Sequence, residues 1–197
     1  LLLFLAAIPI QSKQRVIILT DISGPQQEPD DMESMVRLLL YSNELDIEGL
    51  IATSSCWRAN DPVQPEIITK IVNSYGKVRD NLLKHAPGYP ETQQLLNLVK
   101  KGNGNSMTAV GDGKSSAGSK CIIDAAERDD NRPLWCCVWG GAATLAQALF
   151  DVKNTRSASE LETFIKKLRV YDLSGQDDAG AWICHTFPDI FYIRSQF

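Results

Sequence analysis

Short apolar runs alternate with longer segments of helical periodicity along most of this 197-residue chain. Residues 15–20 form an apolar run rich in β-branched side chains, which predicts a strand that is buried on both faces. Residues 30–41 place apolar side chains three and four positions apart, which predicts an amphipathic helix. The same reasoning predicts further strands at residues 47–53, 134–139, 168–173 and 189–193, and further helices at residues 65–83, 91–101, 117–128, 142–152 and 157–167, with a short helix between residues 173 and 189.

The order of these elements predicts the fold class. Strands that alternate with helices of this length form βαβ units, in which the strands are parallel and the helices cover both faces of the sheet. We therefore expect an α/β, Rossmann-like fold with a mostly parallel sheet, in one domain from residue 15 to residue 197. Ligands of such sheets bind beyond the carboxyl ends of the strands, so that edge is where functional residues are expected.

Composition and charge exclude several classes of protein. A hydrophobic fraction of 44% and a charged fraction of 22% are typical of a globular domain and exclude a disordered chain. The 20 basic residues are outnumbered by 24 acidic ones, and the net charge of -4 argues against a nucleic-acid partner. The five cysteines show no C-x-x-C spacing, which argues against the usual zinc and redox sites.

The first ten residues are almost entirely apolar. A membrane-spanning helix needs about 20 such residues, so we expect no membrane span here. The run resembles the hydrophobic region of a secretory signal peptide, and polar residues 11–14 follow it. We interpret residues 1–14 as the remnant of a signal peptide and a linker, which predicts a secreted protein. A buried N-terminal strand or helix is the alternative.

Three aspartates flank the loop that follows the first predicted strand. Asp21 ends that strand, and Asp30 and Asp31 open the first helix. At the carboxyl edge of a parallel sheet they can converge, and three converging carboxylates repel one another unless a cation lies between them. Oxygen ligands favour a hard cation such as Ca²⁺ or Mg²⁺. The alternative is that Asp30 caps the helix and Asp31 complements its dipole, which leaves Asp21 unexplained.

Two other segments are predicted at the same edge. Trp139 is followed by Gly140 and Gly141 between a strand and a helix, where two glycines permit close backbone approach to a ligand. Residues 176–178, with Asp177 at their centre, follow the strand at residues 168–173. A tight turn without a ligand and an acidic helix N-terminus are the respective alternatives.

Several long blocks of the sequence match a known family in the right order. They are VIILTD and PDDMESMVRLLLYSNELDIEGLIAT near the start, then NLLKHAPGYP, RPLW, WGGAATLAQAL, LRVYDLSGQDDAGAWI and FPDIFYI. In these blocks the chain resembles the nucleoside hydrolase-like domain of secreted bacterial cellulose-binding proteins. That family is a divergent relative of the inosine-uridine nucleoside hydrolases, so the resemblance implies a nucleoside hydrolase-like version of the α/β fold.

The resemblance also implies a metal site. Nucleoside hydrolases carry the signature D-x-D-x-x-x-D-D and bind one Ca²⁺ ion. Their residues that match Asp21 and Asp31 bind calcium, and the residue that matches Asp30 holds the sugar hydroxyls. A backbone carbonyl at the position of Trp139 also binds the metal. The resemblance thus implies Ca²⁺ as the cofactor, with Asp21 as the general base that activates water.

This chemistry would make the protein a hydrolase of N-glycosyl or related glycosidic bonds. The expected ligand is a small sugar or a riboside, or a cell-wall polysaccharide. Asn60 and Asp177 are further candidates for substrate contacts, although an ordinary turn residue is the alternative for Asn60. A non-catalytic carbohydrate-binding module on the same fold is the alternative function.

The sequence departs from true nucleoside hydrolases in two ways that bear on function. The loop between Asp21 and Asp30 is longer than theirs. Nucleoside hydrolases also take a further calcium-binding aspartate from a region that corresponds to positions beyond residue 197. The resemblance therefore implies that this chain holds the first part of the domain, incomplete at its C-terminus.

Overall fold

The computed structural model describes residues 12–27 and 29–196. In this part of the chain six strands form one all-parallel sheet. In chain order they are β1 (Gln14–Thr20), β2 (Leu45–Ala52), β3 (Val99–Lys101), β4 (Leu134–Val138), β5 (Leu168–Leu173) and β6 (Phe191–Ser195). The helices of the described residues are α1 (Asp30–Leu40), α2 (Pro65–Leu82), α3 (Thr92–Leu98), α4 (Ala117–Glu127), α5 (Ala143–Thr155), α6 (Ala158–Lys167) and α7 (Ala179–Thr186).

The order of the strands across the sheet is β3-β2-β1-β4-β5-β6. The chain winds in one direction from β1 to β3 and in the other from β4 to β6, so the winding reverses between β1 and β4. In open α/β sheets, such a reversal opens a crevice at the carboxyl ends of the two strands. The fold therefore places any ligand site beside Thr20 and Val138, the last residues of β1 and β4.

Helices cover both faces of the sheet, as predicted. The side chains of β1 alternate between the faces, so that Ile17 and Leu19 belong to one apolar core and Ile18 belongs to the other. Helices α4, α5, α6 and α7 contribute to the first core, and α1, α2 and α3 contribute to the second. This arrangement explains why residues 16–19 of β1 and all of β4 are apolar without a break.

Every strand predicted from the sequence is confirmed, but β3 was missed. Residues 99–101 were predicted as the last turn of a helix over residues 91–101, whereas α3 ends at Leu98. A strand of three residues is too short to show any periodicity. Its pairing with Leu50, Ile51 and Ala52 of β2 is long-range information that the local pattern does not carry.

The predicted signal-peptide remnant falls mostly outside the described residues. Residues 12 and 13 precede β1, and Gln14 begins it. In the part of the chain that the structure describes, no helix is long and apolar enough to cross a membrane.

A network of charged residues joins the strands at the amino-terminal edge of the sheet. Arg15 is fully buried and donates to both carboxylate oxygens of Glu48, at 2.6 and 3.0 Å, and to the carbonyl oxygen of Ala125 at 2.6 Å. The pairing of β1 with β2 shifts by one residue at Glu48, and this bulge lets the carboxylate face Arg15. Nearby, Arg132 bridges Asp46 at 2.5 Å and Asp130 at 2.7 Å.

Candidate functional site

The structure brings the three candidate aspartates to one cavity at the carboxyl edge of the sheet. Asp21 follows β1 directly and is only 8% exposed, Asp31 is half-buried, and Asp30 is exposed. The cavity has a volume of about 370 Å³. It is lined by Asp21, Ser23, Asp30, Asp31, Trp57, Trp139, Leu173, Ser174 and Gln176. These residues come from the ends of β1, β4 and β5 and the segments that follow them, from the start of α1 and from the loop after β2.

Asp30 and Asp31 are the first two residues of α1. The alternative that Asp30 caps this helix is wrong, because the capping position is Pro29 and no side chain caps the helix there. Both carboxylates still lie in the first turn, where the positive end of the helix dipole favours negative charge. The helix therefore holds these aspartates at the cavity, and neither carboxylate is used as its N-terminal cap.

Asp21 and Asp31 form a directly hydrogen-bonded pair of carboxyl groups. The hydroxyl of Thr20 donates to Asp31, and the hydroxyl of Ser55 donates to Asp21. Burial raises the pKa of Asp21 above its usual range, and burial followed by the neighbouring charges of Asp21 and Asp30 raises the pKa of Asp31 to about 7. The pair therefore keeps one shared proton up to a pH near 7.

The glycine pair after β4 lets the backbone pack against these carboxylates. A Cβ atom on Gly140 would lie 2.5 Å from the Asp21 carboxylate oxygen, and one on Gly141 would lie 2.5 Å from the carbonyl oxygen of Ser54. Real Cβ atoms do not approach so closely, so neither position accepts a side chain without movement. The glycines are explained by this close packing, and a ligand is not needed to explain them.

Trp139 presents its backbone towards the same edge. Its N–H donates to the carbonyl oxygen of Leu19 at 2.8 Å and so extends the ladder between β1 and β4. Its own carbonyl oxygen accepts a hydrogen bond of 2.5 Å from the side-chain amide of Gln176. One of the two acceptor positions of this oxygen is thus occupied, and the other is left for a cation or a ligand.

The donor set around Asp21 and Asp31 suits a hard cation but is small. Two carboxylates and one carbonyl provide oxygen atoms only, which is the chemistry that Ca²⁺ prefers. Among the described residues there is no group of three or more His, Cys, Asp or Glu side chains placed to hold a metal. Burial raises the pKa of both aspartates, and the neighbouring charges of Asp21 and Asp30 raise that of Asp31 further, so a divalent cation would favour the ionised forms of the pair. The residues present therefore fit part of a calcium site.

A buried arginine lies close to this acidic pair without lining the cavity. Arg58 lowers the pKa of Asp21 by its charge, although burial outweighs this effect. Its guanidinium donates to the Gln27 side chain at 3.1 Å and pairs with Asp61 at 3.0 Å. Arg58 therefore ties the loop after β2 to the loop after β1 and compensates only part of the acidic charge.

The other two predicted substrate residues lie apart from the cavity lining. The Asp177 carboxylate accepts hydrogen bonds from the backbone N–H groups of Ala143 at 3.2 Å and Ala179 at 3.1 Å, which joins the N-termini of α5 and α7. Asn60 is an exposed turn residue after β2. The carboxylate of Asp177 is thus already hydrogen-bonded to the backbone of two helices. The substrate contacts of Asp177 and Asn60 stay predictions.

Several cavity residues were not singled out from the sequence. Trp57 lies in the loop after β2 and is 75% exposed. Ser174 adopts a left-handed backbone with φ of 66°, and its buried hydroxyl has no hydrogen-bond partner among the described residues. Left-handed non-glycine residues cluster at functional sites. An isolated tryptophan in a polar loop was the one signal available in the sequence, since the conformation of Ser174 depends on the tertiary structure.

Comparisons with known proteins agree with this architecture. Residues 15–197 match the family model described as cellulose-binding Sde182, nucleoside hydrolase-like domain. A solved structure from Saccharophagus degradans, described as a nucleoside hydrolase-related hypothetical protein associated with carbohydrate metabolism, is 44% identical and superposes with a TM-score of 0.88. The alignment covers 94% of this chain and 44% of that protein, so this chain spans less than half of its length.

No curated protein matches this chain. The family model nevertheless covers nearly the whole of the described domain, and the resemblance inferred from the sequence blocks is confirmed. The chain belongs to the family of cellulose-binding, nucleoside hydrolase-like domains.

Proposed function

We propose that this domain hydrolyses an N-glycosyl or related glycosidic bond, with Asp21 as the general base. The observation that supports the proposal is the hydrogen-bonded pair of Asp21 and Asp31 carboxyls beside Asp30, at the cavity where the winding of the sheet reverses. Acids with perturbed pKa values in a cleft are typical of catalytic sites. A paired site of this kind has no evident purpose in stabilising the fold.

The chain's own residues suit the steps of such a reaction. Asp21 would accept the proton of the attacking water, with the hydroxyl of Ser55 fixing its orientation. Asp30 is exposed in the cavity and would accept hydrogen bonds from sugar hydroxyls. The carboxylates together would balance the positive charge that develops on the sugar ring.

We further propose that Asp21, Asp31 and the carbonyl oxygen of Trp139 hold a Ca²⁺ ion. When bound, the cation would supply positive charge that lowers the pKa of the nearby water. It would also replace the proton shared by the two aspartates, which leaves Asp21 ionised and able to act as a base. Further ligands would have to come from water or from the sugar.

Binding without turnover is the second candidate function. It is favoured by the family description as cellulose-binding and by the hydrogen bond from Gln176 to the carbonyl of Trp139, which leaves one acceptor position for a cation. In this version the cavity keeps the carboxylates that grip sugar hydroxyls, and no bond is broken.

The experiment is titration of the purified domain with Ca²⁺, followed by assays for free base from inosine and for reducing ends from cello-oligosaccharides. We expect calcium-dependent release from one of these substrates. Asp21→Asn should lower the rate by about 10²–10⁴-fold, the usual contribution of a general base. Asp112→Asn, which changes an exposed aspartate away from the cavity, is the matched control and should leave the rate unchanged.

Each result separates the two candidates. Release that is insensitive to Asp21→Asn would overturn the role of Asp21. Calcium-dependent sugar binding with no product from either substrate would favour the binding module over the hydrolase.

A further inference from the structure

Trp57 stands out among the exposed large apolar side chains of the described residues. It is 75% exposed, more than any other member of that group, and it lies at the rim of the cavity that holds Asp21 and Asp30. An exposed indole adds almost nothing to the core. The same ring, when covered by a ligand, would be stabilised by the burial of its apolar face.

The backbone that carries this exposed ring is firmly anchored. The N–H of Cys56 donates to the carbonyl oxygen of Gln176 at 2.8 Å, and the N–H of Trp57 donates to the hydroxyl of Ser55 at 3.2 Å. On its other side, the buried side chain of Arg58 is held by Gln27. The backbone that carries the indole is therefore held in place before a ligand binds, which lowers the entropy that binding would cost.

The surroundings of Trp57 select the kind of ligand. A flat apolar face stands beside the carboxylate acceptors of Asp21 and Asp30, and the hydroxyl of Ser174 lacks a partner within the described chain. A sugar ring matches this combination, because one face carries C–H groups and its edge carries hydroxyls. The aromatic face packs against the first, and the carboxylates accept hydrogen bonds from the second.

The size of the cavity and the place of Trp57 indicate a chain of sugars. At about 370 Å³ the cavity is near the lower end of the range for ligand pockets, so it suits one sugar unit and does not enclose several. Trp57 lies at its rim with most of its surface in solvent, where the next unit of a linear chain would emerge.

We propose that Trp57 is the stacking platform for a sugar ring of a linear oligosaccharide at the point where the chain leaves the cavity. This inference rests on the proposed function, since it needs the cavity to bind carbohydrate. It adds the substrate class, an oligosaccharide instead of a riboside, and it names the residue that selects it.

The test compares Trp57→Ala and Trp57→Phe with the wild-type chain in calorimetric titrations of cellotetraose and of inosine. We expect Trp57→Ala to weaken cellotetraose binding at least about 10-fold, because stacking on an aromatic anchor is lost. Trp57→Phe should stay within a few-fold of wild type, because a flat ring remains. Tyr41→Ala is the matched control: Tyr41 is 62% exposed at the end of α1, outside the cavity lining, and its loss should change nothing.

Because Trp57 is exposed, we expect Trp57→Ala to unfold at the same temperature as the wild-type chain. A change in binding would then report the loss of the indole and not a loss of folding. Wild-type affinity for cellotetraose in Trp57→Ala would overturn the proposal, as would absence of cellotetraose binding by the wild-type chain. A loss confined to inosine would overturn the choice of an oligosaccharide. If the wild-type chain cleaves no substrate but Trp57→Ala binds cellotetraose more weakly, the hydrolase proposal is wrong and the role of Trp57 is supported. If the wild-type chain cleaves a substrate and Trp57→Ala has an unchanged KM for it, the hydrolase proposal is supported and the role of Trp57 is wrong.

Discussion

The two ends of β1 differ in how their charged side chains are paired. At the amino-terminal end Arg15 is fully buried, yet it meets Glu48 at 2.6 Å and Asp130 at 3.7 Å, so opposite charges are matched. At the carboxyl end Asp21 meets Asp31, so two acidic groups stand side by side. The pKa of Asp130 is held well below its usual range by hydrogen bonds from Arg132, whereas burial raises the pKa of Asp31 to about 7.

We infer from this difference that the charged residues at the amino-terminal end of β1 stabilise the fold, and that those at its carboxyl end serve a ligand. A matched buried network satisfies its own groups and leaves nothing for a ligand. A pair of desolvated carboxyls destabilises the empty domain unless a proton or a cation accompanies it, and such sites persist where they serve a ligand. The comparison predicts that changes at the first end affect folding and leave binding intact, and that changes at the second end do the opposite.

The largest expected effect is on stability, from Arg15→Met. This change leaves the buried Glu48 with only the exposed Arg128, 3.4 Å away, as an ionic partner, and the loss of the buried pair costs up to about 3–5 kcal/mol of the free energy of unfolding. The double variant Arg15→Met with Glu48→Leu should recover most of that loss, because apolar groups replace the whole pair. Urea denaturation measures both variants. Equal stabilities of Arg15→Met and the wild type would contradict the stabilising role of the amino-terminal network. A loss of cellotetraose binding by the folded double variant would contradict the separation of stability from binding.

A smaller effect is expected from pH at the other end. The pKa of Asp31 is raised from 3.8 to about 7 on folding, so below pH about 4 both states are protonated. Between pH 4 and 7 the unfolded state releases this proton while the folded state keeps it. The free energy of unfolding should therefore fall as pH rises through this interval in calcium-free buffer, by at most about 4 kcal/mol, since each pKa unit corresponds to about 1.4 kcal/mol.

Asp31→Asn supplies the reference for this measurement, because it lacks the titrating group. The difference between wild type and Asp31→Asn isolates the contribution of Asp31, and saturating Ca²⁺ should abolish it. Asp130 has the opposite sign: its lowered pKa contributes stability that is lost as pH falls below about 4. A difference between wild type and Asp31→Asn that stays flat from pH 4 to 7 would contradict the assigned state of the pair.

Much of the fold could be predicted from the sequence because its signals are local. An unbroken apolar run such as residues 16–19 indicates a buried parallel strand by itself, and the alternation with helices fixes the class. The three-residue β3 was missed because only its partner β2 defines it. The bulge at Glu48 could not be predicted either, since it depends on the pairing with β1.

The site was predictable to the extent that topology places it. Asp21, Asp30 and Asp31 could be found because strand ends and helix starts converge at one edge of a parallel sheet. The hydrogen bond from Gln176 to Trp139 joins residues 37 positions apart, and no pattern along the chain reports it. Asp177 shows the same limit, because its position at the edge was expected while its hydrogen bonds to two helix N-termini were not.

Gln176→Leu should change stability least, and it tests whether a hydrogen bond at the carboxyl end of the sheet serves calcium binding more than folding. The change removes the amide that donates to the carbonyl oxygen of Trp139 and keeps the backbone bond from Cys56 to residue 176. Loss of one such hydrogen bond costs about 1 kcal/mol. Calcium affinity should fall more, by about 10-fold, because the amide orients a carbonyl that we propose as a ligand. Gln93→Leu, at an exposed position on α3, is the control and should change neither quantity. A stability loss comparable with that of Arg15→Met, together with unchanged calcium binding, would mean that Gln176 belongs to the structural framework, and that the two ends of the sheet differ less than their charges indicate.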